Sequence, residues 1–193
     1  MDTALDTVII DPPASVLAER ERLGLDHHDE VWDGEYHMVP NPNVPHQRIE
    51  KALVLAFDHL ASDHGLELLL EVNLLASEEL GFHDFRVPDA VIFGPEEEGA
   101  AGIVGPARLV VEVRSPGDES FKKLPFFERL GVGEVLIIDR DTKVVRRWEL
   151  VEGVLVESPG APVGHHRLRC IPAALHTDDG VLVITTAQAT TRI

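Results

Sequence analysis

Two stretches decide the reading of this chain: Phe85-Arg86-Val87-Pro88-Asp89-Ala90-Val91-Ile92-Phe93 and Leu109-Val110-Val111-Glu112-Val113-Arg114. Each is apolar enough for a core β-strand, and each carries a carboxylate. Burying an unpartnered carboxylate costs several kcal/mol per ion. Glu112 must therefore be protonated, paired with a cation or bound to a metal. Alternation sets it in phase with Val110 and Arg114, so an ion pair with Arg114, or with a basic residue of another strand, is the structural alternative. Pro88 removes a backbone donor, which suits a strand start or a bulge just before Asp89. Two carboxylates on neighbouring strands can converge on one hard cation, and oxygen donors with open water positions suit Mg²⁺ or Mn²⁺.

Upstream, residues 1–30 read as an extended arm ending at Asp11-Pro12-Pro13, then a short helix Ala14–Leu23 capped by Ser15 and stopped by Gly24. Val31–Val39 reads as a hairpin turning at Asp33-Gly34. Pro40, Pro42 and Pro45 mark a loop. His46–His64 shows helical spacing at Ile49, Leu53, Ala56, Phe57 and Leu60, with Gly65 closing the helix. Leu66–Leu75 and Phe85–Phe93 read as strands, and Pro95–Gly105 as an acidic loop leading to Leu109–Arg114. Downstream, Ser120–Leu130 reads as a helix whose regular part begins late or is kinked at Pro125. Glu134–Asp139 and Val144–Leu150 form a strand pair around Asp141-Thr142. Residues 151–193 form a β-rich tail with a Pro/Gly/His loop and a final strand, Gly180–Thr185. The predicted architecture is a single α/β domain spanning 1–193, a mixed sheet flanked by helices.

The 193 residues, 44% of them apolar, are those of a soluble globular chain. No apolar run approaches the ~20 residues that span a bilayer. The acidic N-terminus has no signal-peptide pattern. With Cys170 the only cysteine, no intrachain disulfide forms, and a cytoplasmic location is expected. The net charge of −17, from 34 acidic and 17 basic residues, excludes a passive nucleic-acid coat but not a nuclease whose carboxylates hold metal. Basic residues concentrate between Arg108 and Arg147.

Pro88-Asp89, a loop, then Glu112-Val113-Arg114 resembles the PD…(D/E)xK signature of restriction-endonuclease-like nucleases. The chain more closely resembles the Uma-type family of bacterial candidate restriction endonucleases. The matching pieces are Asp33-Gly34-Glu35, His46, Pro88-Asp89-Ala90-Val91, Val110-Val111-Glu112-Val113, Ser115-Pro116-Gly117-Asp118-Glu119-Ser120, Lys123-Leu124-Pro125-Phe126-Phe127, Gly131-Val132-Gly133-Glu134-Val135 and Ile138-Asp139. The resemblance implies a restriction-endonuclease-like fold with Asp89 and Glu112 as metal ligands and Lys123 completing the catalytic set. It departs from the nuclease pattern at Arg114, where a lysine is usual. Arginine cannot act as a general base near neutral pH. In the resembling family the lysine shifts to the following helix, at the place of Lys123. Arg114 and Lys122 then serve to hold backbone phosphates.

His46 and Glu50, spaced i, i+4, share a helix face. They are read as supporting residues, His46 for substrate or a metal-bound water and Glu50 as an outer carboxylate. Glu71 is a further acidic neighbour. His27-His28 and His165-His166 do not have zinc spacing, Ser115 lacks a nucleophile elbow, and no phosphate-binding glycine loop is present. Phe126 and Phe127 read as core. The functional expectation is a Mg²⁺- or Mn²⁺-dependent endonuclease acting on DNA, working as a homodimer to cut both strands and with no membrane partner. The competing expectation is a catalytically silent nucleic-acid or protein binding module of the same fold.

Overall fold

The structure, a computed structural model, describes residues 9–193; the first eight residues of the expected arm lie outside the described part. Strand β1 (Ile9–Ile10) precedes helix α1 (Ala14–Leu23). Gly24 ends α1 in the left-handed conformation at φ 64, as expected. Ser15, expected to cap α1, lies inside it, and Pro13 takes the cap position without a side-chain bond. Strands β2 (Glu30–Trp32) and β3 (Glu35–Met38) form the expected hairpin. Asp33 and Gly34 both have positive φ, at 50 and 91, the two-residue turn that matches strand twist.

Helix α2 (Val44–Asp63) starts two residues before the expected His46. The Asn43 side chain accepts the His46 N–H at 3.2 Å, and Pro45 sits in the first turn, where its missing N–H costs nothing. The expected strand Leu66–Leu75 breaks at Glu71, φ 50, into β4 (Glu67–Leu70) and β5 (Leu74–Leu75). The expected Phe85–Phe93 strand likewise divides into β6 (Phe85–Arg86) and β7 (Ala90–Phe93), with Val87-Pro88-Asp89 as the break. The expected acidic loop contains a small hairpin, β8 (Glu98–Gly99) and β9 (Gly102–Val104).

Strand β10 (Leu109–Arg114) has the expected bounds. A 3-10 turn, Ser120–Lys123, leads into helix α3 (Leu124–Leu130), so the regular helix does begin late, with Pro125 in its first turn. Strand β11 (Glu134–Asp139) follows as expected. Then come β12 (Val145–Val151) and β13 (Val154–Ser158). In the rest of the tail, where the sequence predicts one final strand at Gly180–Thr185, four are present: β14 (His166–Arg167), β15 (Ala173–Asp178), β16 (Val181–Thr186) and β17 (Thr190–Arg192).

The described strands form three sheets. The central one runs β13-β12-β11-β10-β7-β4, with β10 and β11 parallel and the other neighbours antiparallel. Ile49, Leu53 and Phe57 of α2 share a core with Ile92, Val111 and Leu136 and with Leu175 and Ile184 of the C-terminal sheet β14-β15-β16-β17. Phe126 and Phe127 of α3 share a second core, on the other face, with Val110, Val135, Ile137 and Trp148. The third sheet, β1-β3-β2-β6-β5-β9-β8, is built of short strands and brings the hairpin beside the central sheet. The result is the mixed sheet with flanking helices expected from the sequence. No helix among the described residues is long and apolar enough to cross a membrane.

Candidate active site

Asp89 and Glu112 meet because β7 and β10 are antiparallel neighbours. Val111 pairs with Ala90, so the next step of the register sets Glu112 opposite Asp89. The Val113 backbone N–H donates to Asp89 Oδ2, which ties the end of β7 to β10. Both carboxylates line one cavity, together with His46, Glu71 and Lys123.

Alternation turns Glu112 toward the α3 face, in phase with Val110. Lys123, last residue of the 3-10 turn, comes down on it from that face. Its Nζ lies 3.1 and 3.0 Å from the two Glu112 carboxylate oxygens and 2.8 Å from Glu30 Oε1. All three groups are buried; Glu30 is 1% exposed and Glu112 4%. Burial alone would lower the lysine, but Glu112 and Glu30 hold it protonated above its ordinary value. Burial pushes the Glu112 carboxyl well above the usual carboxylate range; Lys123 opposes this, while Asp89 and Glu30 reinforce it.

Glu30 is the site residue that sequence reading misses. It stands one residue before the expected hairpin, and nothing local shows that the hairpin folds over β10. The available signal is a carboxylate beginning the run Glu30-Val31-Trp32, the same pattern that drew notice to Glu112.

On the α2 side, His46 Nε2 lies 3.0 Å from Asp89 Oδ1 and 3.1 Å from Glu50 Oε1. Burial would lower this imidazole, but bonding to Asp89 and Glu50 raises it to about 10. The ring N–H can point well at only one acceptor, Asp89, so buried Glu50 Oε1 is in ion-pair range of the ring without a well-aligned hydrogen bond. One donor atom from each of His46, Glu50 and Asp89 fits within 4.8 Å of the others. Glu71 also lines the cavity, 3.6 Å from His28 Nδ1. Burial raises it, with His28 opposing and Glu50 and Asp89 adding to the rise.

Three predicted residues do not line the cavity: Glu50, which reaches it only through His46, and Arg114 and Lys122. The Arg114 guanidinium pairs with Asp139 at 3.0 Å and lies over the Phe121 ring at 5.3 Å. Lys122, with 69% of its side chain exposed, pairs with Glu119 at 2.6 Å. In a 3-10 turn the step from Lys122 to Lys123 is about 120°, so one lysine faces solvent and the other the sheet.

A family model described as "Putative restriction endonuclease" matches residues 18–163. The chain belongs to the Uma2 family. Its fold is similar to the crystal structure of a protein from Anabaena variabilis ATCC 29413 described as a "putative nuclease belonging to DUF820". That similarity has a TM-score of 0.53 at 20% identity and covers 68% of this chain and 77% of the other. A second solved structure, a DrdV–DNA complex, matches at a TM-score of 0.32 and 13% identity, over 61% of this chain and 12% of that one. No curated protein matches the chain. The Uma2 match spans every residue of the cavity named above, from Glu30 to Lys123.

Proposed function

We propose that this Uma2-family chain is a divalent-metal-dependent endonuclease that hydrolyses phosphodiester bonds in DNA. One observation carries the reading: Asp89, Glu112 and Lys123, from two strands and a separate turn, converge with His46 in a single cavity. The donor set fits a hard cation. Asp89 and Glu112 would supply oxygens, and Glu50, with His46 once it has lost its proton, stands beside Asp89 as a further donor. A bound Mg²⁺ or Mn²⁺ neutralises charge on a phosphate oxygen and lowers the pKa of a nearby water.

The chain's own groups perform the rest. Lys123 supplies a fixed positive charge against the charge that develops on the phosphate. In this structure its three protons are spent on Glu112 and Glu30, so one of those bonds is exchanged when a phosphate arrives. Protonated His46 holds Asp89 in place before substrate binds. In this reading Arg114 and Lys122, outside the cavity, exchange their pairing with Asp139 and Glu119 for flanking phosphates of a longer strand. Cutting both strands of a duplex requires two such sites, and a symmetric dimer in the cytoplasm supplies them.

Arg114 favours a second reading, a non-cleaving binding module. It occupies the usual lysine position yet is turned to Asp139. Purified protein incubated with Mg²⁺ or Mn²⁺ and single-stranded, duplex or branched DNA separates the two: cleavage abolished by chelator supports the nuclease, and binding without cleavage on every substrate rejects it.

A further inference from the structure

We propose that Glu30, at the start of β2, is a positioning residue of the candidate active site, fixing Lys123 and the segment that carries Asp89 in one arrangement. The catalytic consequence rests on the nuclease reading; the positioning itself does not.

Every contact of this carboxylate ties a different part of the site. Glu30 Oε1 lies 2.8 Å from Lys123 Nζ and also accepts the Val87 N–H at 2.8 Å, two residues before Asp89. Glu30 Oε2 accepts the Trp32 indole N–H at 2.6 Å. Trp32 is itself held: its ring stacks on His37 with centroids 3.9 Å apart, and the Arg86 guanidinium lies 4.6 Å over it. The hairpin thus presents a carboxylate whose own position is fixed on one side by an aromatic stack and on the other by the β6–β7 connection.

Lys123 needs such a fixture. Lysine is a point charge on a flexible four-carbon stem, and Glu112 alone holds it by one carboxylate that is itself expected to engage metal. A second carboxylate on the far side defines the ammonium position even when Glu112 turns to a cation. The same oxygen ties down the Val87 backbone, so the distance from Lys123 to the Asp89 segment is set by one atom. A surface ion pair would not do this; Glu30 is 1% exposed and its partner Lys123 9%.

The test uses the full chain, in wild-type, Glu30→Gln and Trp32→Phe forms. Amine acylation followed by mass spectrometry reads the accessibility of Lys123 against exposed Lys51 and Lys122. Reaction of the thiol of Cys170, the only cysteine and remote in sequence, reports global opening. The expected result is a protected Lys123 in wild type and at least ~10-fold faster acylation in Glu30→Gln with Cys170 unchanged. Trp32→Phe, which frees one Glu30 oxygen but keeps the charge, falls between. In cleavage assays Glu30→Gln lowers kcat by ~10–100-fold, as loss of a supporting partner does, with KM nearly unchanged.

Lys123 acylation equal to wild type in Glu30→Gln overturns the proposal, and so does exposure of Cys170 together with Lys123, which makes Glu30 merely structural. Unchanged kcat in an active enzyme overturns it as well. A wild type inactive on every nucleic acid removes the nuclease reading, and the acylation result then decides the positioning by itself.

Discussion

The Lys123 ammonium reaches both carboxylate oxygens of Glu112, at 3.1 and 3.0 Å, from a turn eleven residues further along the chain. Nothing in strand β10 dictates that pairing. It arises because alternation points Glu112 to the face on which α3 packs, and because Phe126 and Phe127 bury α3 against that face. The packing of two phenylalanines thus delivers a lysine to a carboxylate that Arg114, on the same strand, does not neutralise.

Lys123→Ala is expected to remove most cleavage, ~10²–10⁴-fold for a side chain acting in the transition state. It also leaves Glu112 and Glu30 buried without their cation, which costs ~3–5 kcal/mol. Lys123→Arg retains charge and separates the two effects: folding stays closer to wild type while cleavage falls. Urea unfolding and a plasmid-nicking assay read them independently. Lys122→Ala, on an exposed pair worth at most ~1 kcal/mol, should change neither by much. Full cleavage by Lys123→Ala would return attention to Arg114.

Metal binding is expected to need Asp89 and Glu112. Calorimetric titration with Mn²⁺ should show heat in wild type that is lost in Asp89→Asn and sharply weakened in Glu112→Gln, with waters completing the coordination. An affinity unchanged by either substitution removes that residue from the metal position.

Asp84, which does not line the cavity, gives a pH dependence of its own. Burial pushes this carboxyl up, but the Asp33 N–H and the Arg86 and Arg129 guanidiniums, at 3.2, 2.9 and 2.7 Å, outweigh it and hold the group below its ordinary value. A depressed folded value means the stabilisation is fully present above the unfolded pKa and lost as pH falls through the folded one. Asp84→Asn should therefore cost about 1–3 kcal/mol at pH 7, and the gap to wild type should close in acid. Denaturant midpoints across that range measure it; a gap that is constant with pH assigns the loss to packing instead.

How much of this was legible depends on how local each feature is. Leu109–Arg114 and Glu134–Asp139 can be read from the sequence because buried strands need continuous apolar runs, and the hairpin at Asp33-Gly34 because only such residues take positive φ at both turn positions. The breaks at Glu71 and at Val87-Pro88-Asp89 are not legible in the same way. They divide apolar runs between two sheets, and that division is decided by pairing partners distant in sequence. The two-residue strands are too short to show a period, and the proline- and histidine-rich tail hides β14 and β15. Asp89 and Glu112 stand out as charges in apolar runs, whereas Glu30 acquires its meaning only once the hairpin is folded over the central sheet.

Glu50 yields the last prediction. Near the cavity, the carboxylates of Glu30, Glu50, Glu71, Asp89 and Glu112 face the two cations His46 and Lys123. Carboxylates outnumber cations there, and Glu50, 1% exposed, shares its positive neighbour, His46 Nε2 at 3.1 Å, with Asp89. In the metal-free protein Glu50→Gln thins the crowd of carboxylates around Asp89 and Glu71, so its Tm should rise. With Mn²⁺ the order should reverse. A ligand at 100 times its Kd stabilises a fold by ~2.7 kcal/mol, and a variant that binds Mn²⁺ more weakly receives less. Thermal melts of wild type and Glu50→Gln, with chelator and across a Mn²⁺ titration, should cross. Parallel curves would show that Glu50 holds no charge in common with the metal position. A lower Tm for Glu50→Gln in chelator would show that His46 already compensates it fully.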